Sequence, residues 1–137
     1  MYRPKGRAQE AAERFAERRR REDTAPRLSS EIPELATLRL EVEERAGTSV
    51  GADSKHVRHV IVDRAPALFL MPCGDNACRD GGHDLTSSIL RELRIAAPRF
   101  EAEGACRGTI GPSECRRTIR VVGIAGYLQR GQQPVGR

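Results

Sequence analysis

The chain has 137 residues, enough for one ordinary domain and an extension. Apolar residues make up 38% and aromatics 4%, with no Trp, so any core is thin and built from Leu, Ile, Val and Ala. Domains of this size with thin cores commonly rely on a metal or disulfides as a staple. No apolar run is long enough to cross a bilayer and the N-terminus lacks the apolar stretch of a secretory signal, so the expectation is a cytoplasmic protein without a membrane partner.

The net charge of +5 is unevenly placed. Residues 1–27 hold nine basic and five acidic side chains, the rest fifteen and fourteen. The expected organisation is an Arg-rich arm and linker over 1–33, a nearly neutral domain over 34–129, and a loose tail over 130–137. Arg18, Arg19, Arg20 and Arg21 can hold nucleic acid or an acidic protein surface electrostatically, or simply solvate an extension. Residues 8–22 are rich in helix formers, with Glu10 before Arg14 and Glu17 before Arg21. Their apolar stripe of Ala8, Ala11, Ala12, Phe15 and Ala16 is weak, which predicts a marginal helix that does not dock firmly. Residues 23–33 then read as a linker broken by Pro26 and Pro33.

From residue 35 the pattern changes. Leu38, Leu40 and Val42 alternate with Arg39, Glu41 and Glu43, the signature of a half-buried strand. A loop over 47–55 leads to a second strand at 56–62, in which His56 and His59 are surface or edge residues. The run "PALFLM" predicts a short buried third strand ending at Cys73. Asp84 is placed to cap a helix with Leu85, Ile89, Leu90, Leu93 and Ala97 on one face, stopped by Pro98. Phe100, Ala102 and Gly104 alternate with Glu101 and Glu103 in a fourth strand, and residues 115–129 form a long last strand apolar on both sides. The order β-β-β-α-β-β predicts an α+β domain with one helix across a small, mostly antiparallel sheet.

The chemistry concentrates in "PCGDNACRDGGHD", residues 72–84. Cys73 and Cys78 have four residues between them, and Cys106 and Cys115 have eight. Each pair is predicted to flank a chain reversal. If the fourth and fifth strands are neighbours, all four sulfurs gather at one end of the sheet, where Zn²⁺ could take them tetrahedrally. Cysteines kept reduced favour a metal over disulfides, although disulfides and free thiols are the other outcomes open to four cysteines. His83 is a possible substitute ligand, because a helix N-terminus favours its neutral form; the same place suits a histidine that packs the loop. Asp75, Asp80 and Asp84 do not fit a calcium loop, since Ala77 and Cys78 stand where oxygen ligands belong. Arg79, Arg107, Arg116, Arg117 and Arg120 lie around the cysteines, either as a phosphate-gripping patch or as compensation for a negatively charged zinc-thiolate centre.

Over residues 67–128 the four-cysteine arrangement resembles the zinc-ribbon and treble-clef class of small metal-stapled domains, although neither pair has the CxxC spacing. That resemblance implies one structural Zn²⁺ on Cys73, Cys78, Cys106 and Cys115. It also implies a non-catalytic module that binds another macromolecule, protein or nucleic acid, with Arg18 to Arg21, Arg116 and Arg117 as contact candidates. The stretch "PCGDNAC" also resembles the zinc-deaminase motif, which requires an upstream His-x-Glu or Cys-x-Glu. Here His56 is followed by Val57-Arg58, His59 by Val60-Ile61, and no Cys precedes Cys73, so the proton shuttle is missing. A small zinc- or thiol-dependent enzyme using the loop from Cys73 to His83 stands as the alternative.

Overall fold

The computed structural model describes residues 6–46, 54–75, 77–79 and 81–128. Most of the loop expected over 47–55 and all of the tail over 130–137 lie outside them. The alternation from residue 35 forms β1 (Leu35–Arg45), and the next segment forms β2 (Ser54–Val60). After helix α3 (Thr86–Arg94) come β5 (Arg99–Ala105) and β8 (Thr118–Tyr127). These four strands make one antiparallel sheet in the order β2-β1-β8-β5. The last strand is central because it is the one with apolar residues on both faces, and it pairs with β1 and β5 together.

Period-two alternation sends Leu38, Leu40 and Val42 of β1, Ile119, Val121 and Ala125 of β8, and Phe100 and Ala102 of β5 to the inner face. Against that face pack Ile89, Leu90 and Leu93 of α3. Phe100 lies opposite Gly123 in the register, and its ring occupies the place a Cβ on Gly123 would take. A glycine there lets the Phe100 ring lie close against the central strand. The outer face carries charge pairs such as Lys55 with Glu43, Arg39 with Glu41, and Arg120 with Glu101. Exposed pairs of this kind add solubility more than stability.

Three sequence expectations are corrected. The third strand shrinks to β3 (Leu70–Met71), which leaves the main sheet and pairs instead with β4 (His83–Asp84). Helix α3 begins at Thr86 with Leu85 in the cap position, yet Asp84 still accepts the Thr86 N–H at 3.1 Å, so its capping role is kept one residue early. The expected linker contains the single-turn α2 (Leu28–Glu31), and Leu28 and Ile32 are among the most buried side chains, at 0% and 2% exposure. The core therefore starts well before residue 34. Isolated Leu and Ile beside two prolines show no periodicity, which is why they read as linker.

Residues 7–24 form α1 (Arg7–Thr24), which carries Phe15 53% exposed. Glu10 and Arg21 do not pair within the helix as its spacing predicts. Glu10 pairs with Arg79 and Arg21 with Asp84 at 3.4 Å, tying the helix across the cysteine loop. Among the described residues no helix is long and apolar enough to cross a membrane.

If residues 23–33 belong to the core, Leu28→Ala will cost about 3 kcal/mol in urea unfolding monitored by circular dichroism, as a fully buried Leu should. A loss under about 0.5 kcal/mol, typical of an exposed linker position, would restore the linker reading.

Candidate metal centre

Two chain reversals build the site. The first runs from β3 through Cys73 and Cys78 back to β4. The second leaves β5 at Cys106, turns through the small hairpin of β6 (Thr109–Ile110) and β7 (Ser113–Glu114), and returns to β8 past Cys115. Since β5 and β8 are antiparallel neighbours, the ends of that connection are held together, with the Cys106 N–H donating to the Arg117 carbonyl at 2.7 Å. The two reversals are joined by reciprocal backbone bonds between Arg79 and Thr109, at 2.8 and 3.0 Å.

This arrangement brings the four sulfurs within 4.8 Å of one another. Cys73 Sγ is 3.7 Å from Cys115 Sγ, and Cys78 Sγ is 3.6 Å from Cys106 Sγ. Sulfurs about 2.3 Å from a tetrahedral zinc are roughly 3.8 Å apart, so the spacing suits such an ion. All four residues are free thiols, three buried and Cys73 half-buried.

Backbone donors converge on the sulfurs. Cys106 Sγ accepts the N–H groups of Gly82 and Gly108 at 3.3 and 3.4 Å, and Cys73 Sγ accepts that of Asp75 at 3.5 Å. Burial pushes the Cys73 thiol up to about 12; the Asp75 N–H opposes this, and Cys115 and Cys106 add to it. Burial and the neighbouring thiols also raise Cys78. At Cys106 burial acts upward too, but the Gly108 and Gly82 N–H groups, with Cys78 and Cys73, outweigh it and leave that thiol below its ordinary value. Packed thiols resist ionising together, and a divalent cation at their centre reverses that resistance.

The glycines of the motif are space requirements. A Cβ on Gly81 would overlap the sulfurs of Cys78 and Cys106, and one on Gly108 would overlap Cys78 Sγ. Gly82 has φ +127°, a region that L side chains rarely adopt.

The structure separates the remaining candidates. His83 is not part of the sulfur cluster. It is 5% exposed, and neither ring nitrogen has a hydrogen-bond partner among the described residues. Burial lowers its pKa, Glu44 opposes that shift and Arg117 adds to it, so the ring is held neutral. Asp80 lies outside the described residues. Arg18 and Arg19 lean over the Phe15 ring at 5.4 and 6.0 Å, while Arg20 pairs with Glu17. The arginines near the cysteines do not form one patch. Arg79 and Arg120 are engaged with carboxylates, Arg116 is exposed at φ 57°, and Arg117 is half-buried against Glu44. Arg107 is exposed. Arg117 is therefore mostly turned from the surface toward Glu44, unlike Arg116.

Sequence reasoning missed Glu44. Its carboxylate takes the Arg117 Nε at 2.5 Å and the Gly74 N–H at 2.8 Å, one residue beyond Cys73 and two beyond Cys115. It thus ties both cysteine segments to the central sheet while only 8% exposed. The signal was present: Glu44 continues the parity of Leu38, Leu40 and Val42, so alternation alone places it inside. Between α1 and residues 70–84 runs a groove of about 840 Å³, lined among others by Phe15, Arg18, Met71, Cys73 and Gly82. No family model matches the sequence, and neither a curated protein nor a solved structure matches it.

Glu44→Ala will remove the buried carboxylate that accepts from both Arg117 and the Gly74 N–H and lower stability by about 1.5–3 kcal/mol in chemical denaturation; a change below about 0.5 kcal/mol would remove Glu44 from the role of clamp. His83 supplies a second test. Its folded pKa lies below the unfolded value near 6.5, so its contribution is complete above that value and shrinks as pH falls, because the unfolded chain takes up the proton first. Between pH 7 and 5, His83→Phe should lose stability less steeply than the native chain. Equal slopes would show that His83 titrates alike in both states.

Proposed function

We propose that this protein is a non-catalytic module stapled by one structural Zn²⁺ on Cys73, Cys78, Cys106 and Cys115, and that it acts by binding another macromolecule. The observation carrying this reading is the convergence of four sulfurs from two separate reversals to within 4.8 Å, with backbone N–H groups aimed at two of them. Zinc suits an all-thiolate set, having no redox requirement and no geometric demand beyond the tetrahedron. Four protein ligands fill that tetrahedron, whereas catalytic zinc keeps one place open for water. On this reading the two reversals take the part that paired ligand loops play in the zinc-ribbon and treble-clef class.

The staple has a physical reason to exist. Residues 72–82 and 106–117 contribute little to the main hydrophobic core; their buried side chains are mostly the cysteines themselves. Metal binding would supply the free energy that ordering them requires, and folding and loading would be one event. The reading also places the protein where thiols stay reduced, in the cytoplasm. The basic segment around α1 then acts as an extension that borders the metal loop.

Protein purified under reducing, chelator-free conditions should carry about one zinc per chain by mass spectrometry, with its thiols unreactive until a chelator is added. Cys115→Ser should release the metal and abolish the cooperative unfolding transition. A metal-free, fully folded protein, or a Cys115→Ser variant that keeps its zinc and its transition, would overturn the structural staple.

A further inference from the structure

The main sheet has two edges, and they are treated differently. Strand β5, on one side, has β4 and α3 packed beside it. Strand β2, on the other, pairs with β1 in an unbroken seven-residue register and with no other strand among the described residues. Six of its seven residues are exposed on both faces. An edge of this length offers a row of free backbone N–H and C=O groups, the template on which a further strand forms. It contains no proline and no bulge to block one.

Its side chains select the occupant. Lys55 and Arg58 are cations, His56 and His59 are imidazoles, and β2 holds no acid. Among the described residues the carboxylate partner of Lys55 is Glu43 at 3.8 Å, and the Arg58 guanidinium has no carboxylate partner and one hydrogen-bond contact, the Met71 sulfur at 3.9 Å. Between them Val57 is 54% exposed, and Ile61 just beyond the strand is 63% exposed. A second copy of β2 fits poorly. Antiparallel pairing about Val57 would crowd the Lys55 and Arg58 cations of both copies along one short ladder with no carboxylate from either β2 between them, and like charges across a ladder are destabilising. An extended acidic segment with apolar residues at intervals meets the free backbone, the charge and the apolar steps together. We propose that the edge of β2 is a docking site for such a segment of another protein, which joins the sheet as a fifth strand. The inference rests on the binding-module reading above and names its partner class, but it does not require the metal.

The test uses the full-length protein and a fluorescein-labelled decapeptide in which Glu alternates with Val and Thr, beside a matched peptide with Lys for Glu. Anisotropy should show binding of the acidic peptide only, weakening as salt rises. Amide exchange by NMR should slow at alternate positions of residues 54–60. The double variant K55E/R58E should weaken binding about tenfold or more and take up the Lys peptide instead. N-methylation of alternate peptide amides leaves the protein untouched and should abolish binding, so the conclusion does not depend on how the variant folds. Unchanged exchange in β2, indifference to N-methylation, self-association through β2 in sedimentation, or preferential binding of single-stranded oligonucleotide at this edge would each overturn the proposal. Zinc content of the same sample separates the two readings. A zinc-loaded protein that ignores the peptide rejects the edge and leaves the staple, whereas absence of zinc rejects the staple whatever the peptide does.

Discussion

Four sulfurs held within 4.8 Å are the constraint around which this end of the molecule is organised. Neutral thiols gain little from such proximity and thiolates repel, so something else must fix the loops that present them. Part of that work is visible in the backbone: the reciprocal bonds between Arg79 and Thr109 lace one reversal to the other, and Cys115 N–H donates to the Gly108 carbonyl at 2.9 Å. Part lies in the glycines, since Gly81 and Gly108 leave no room for a side chain beside the sulfurs. A cation at the centre would turn the same crowding from a cost into the source of the loops' stability.

Glu44 connects that end to the rest of the fold. It reaches from β1, the strand adjoining the central one, and holds both Gly74 and Arg117. Buried ion pairs are weak evidence of stability in themselves, because desolvation offsets much of their attraction. Their geometric demand is strict, however. A carboxylate buried beside one guanidinium and one backbone N–H permits a single placement of the two cysteine segments against the sheet. His83 lies within the electrostatic reach of this pair and is kept neutral chiefly by burial, so the polar groups beneath the metal loop consist of one satisfied ion pair and one uncharged ring.

How much of this was legible depended on whether a residue's neighbours are local. The strands β1, β5 and β8 and helix α3 were readable because each repeats its own period over seven residues or more. The meeting of Cys106 and Cys115 at one end of the sheet was readable because it follows from β5 and β8 being neighbours, whereas Cys73 and Cys78 reach them from a strand that leaves the sheet. The two-residue strands β3, β4, β6 and β7 were not, since so short a ladder has no period and is set by the loops around it. Leu28 and Ile32 were lost for the same reason: their burial depends on contacts such as the Leu28 N–H to the Ala65 carbonyl, far along the chain. The arginines misled differently. Composition counted five near the cysteines, but Arg79, Arg117 and Arg120 find their partners in Glu10, Glu44 and Glu101, well away along the chain, and Arg116 and Arg117, though consecutive, differ sharply in exposure.

The uncovered edge follows from the same thinness of core that makes a staple useful. Helix α3 has nine residues, and the buried cluster it anchors reaches β1, β8 and β5 but takes from β2 only the partly buried Val60. His56 and Arg58 face the inner side of the sheet, opposite Val42 and Leu40, yet remain exposed, with Arg58 touching the edge of the core only at the Met71 sulfur among the described residues. A strand in that position gains nothing from apolar alternation, which accounts for its basic character on both faces. Charge is a common guard for such an edge, and a guard of one sign discriminates: it repels a second copy of itself while leaving an oppositely charged strand free to pair.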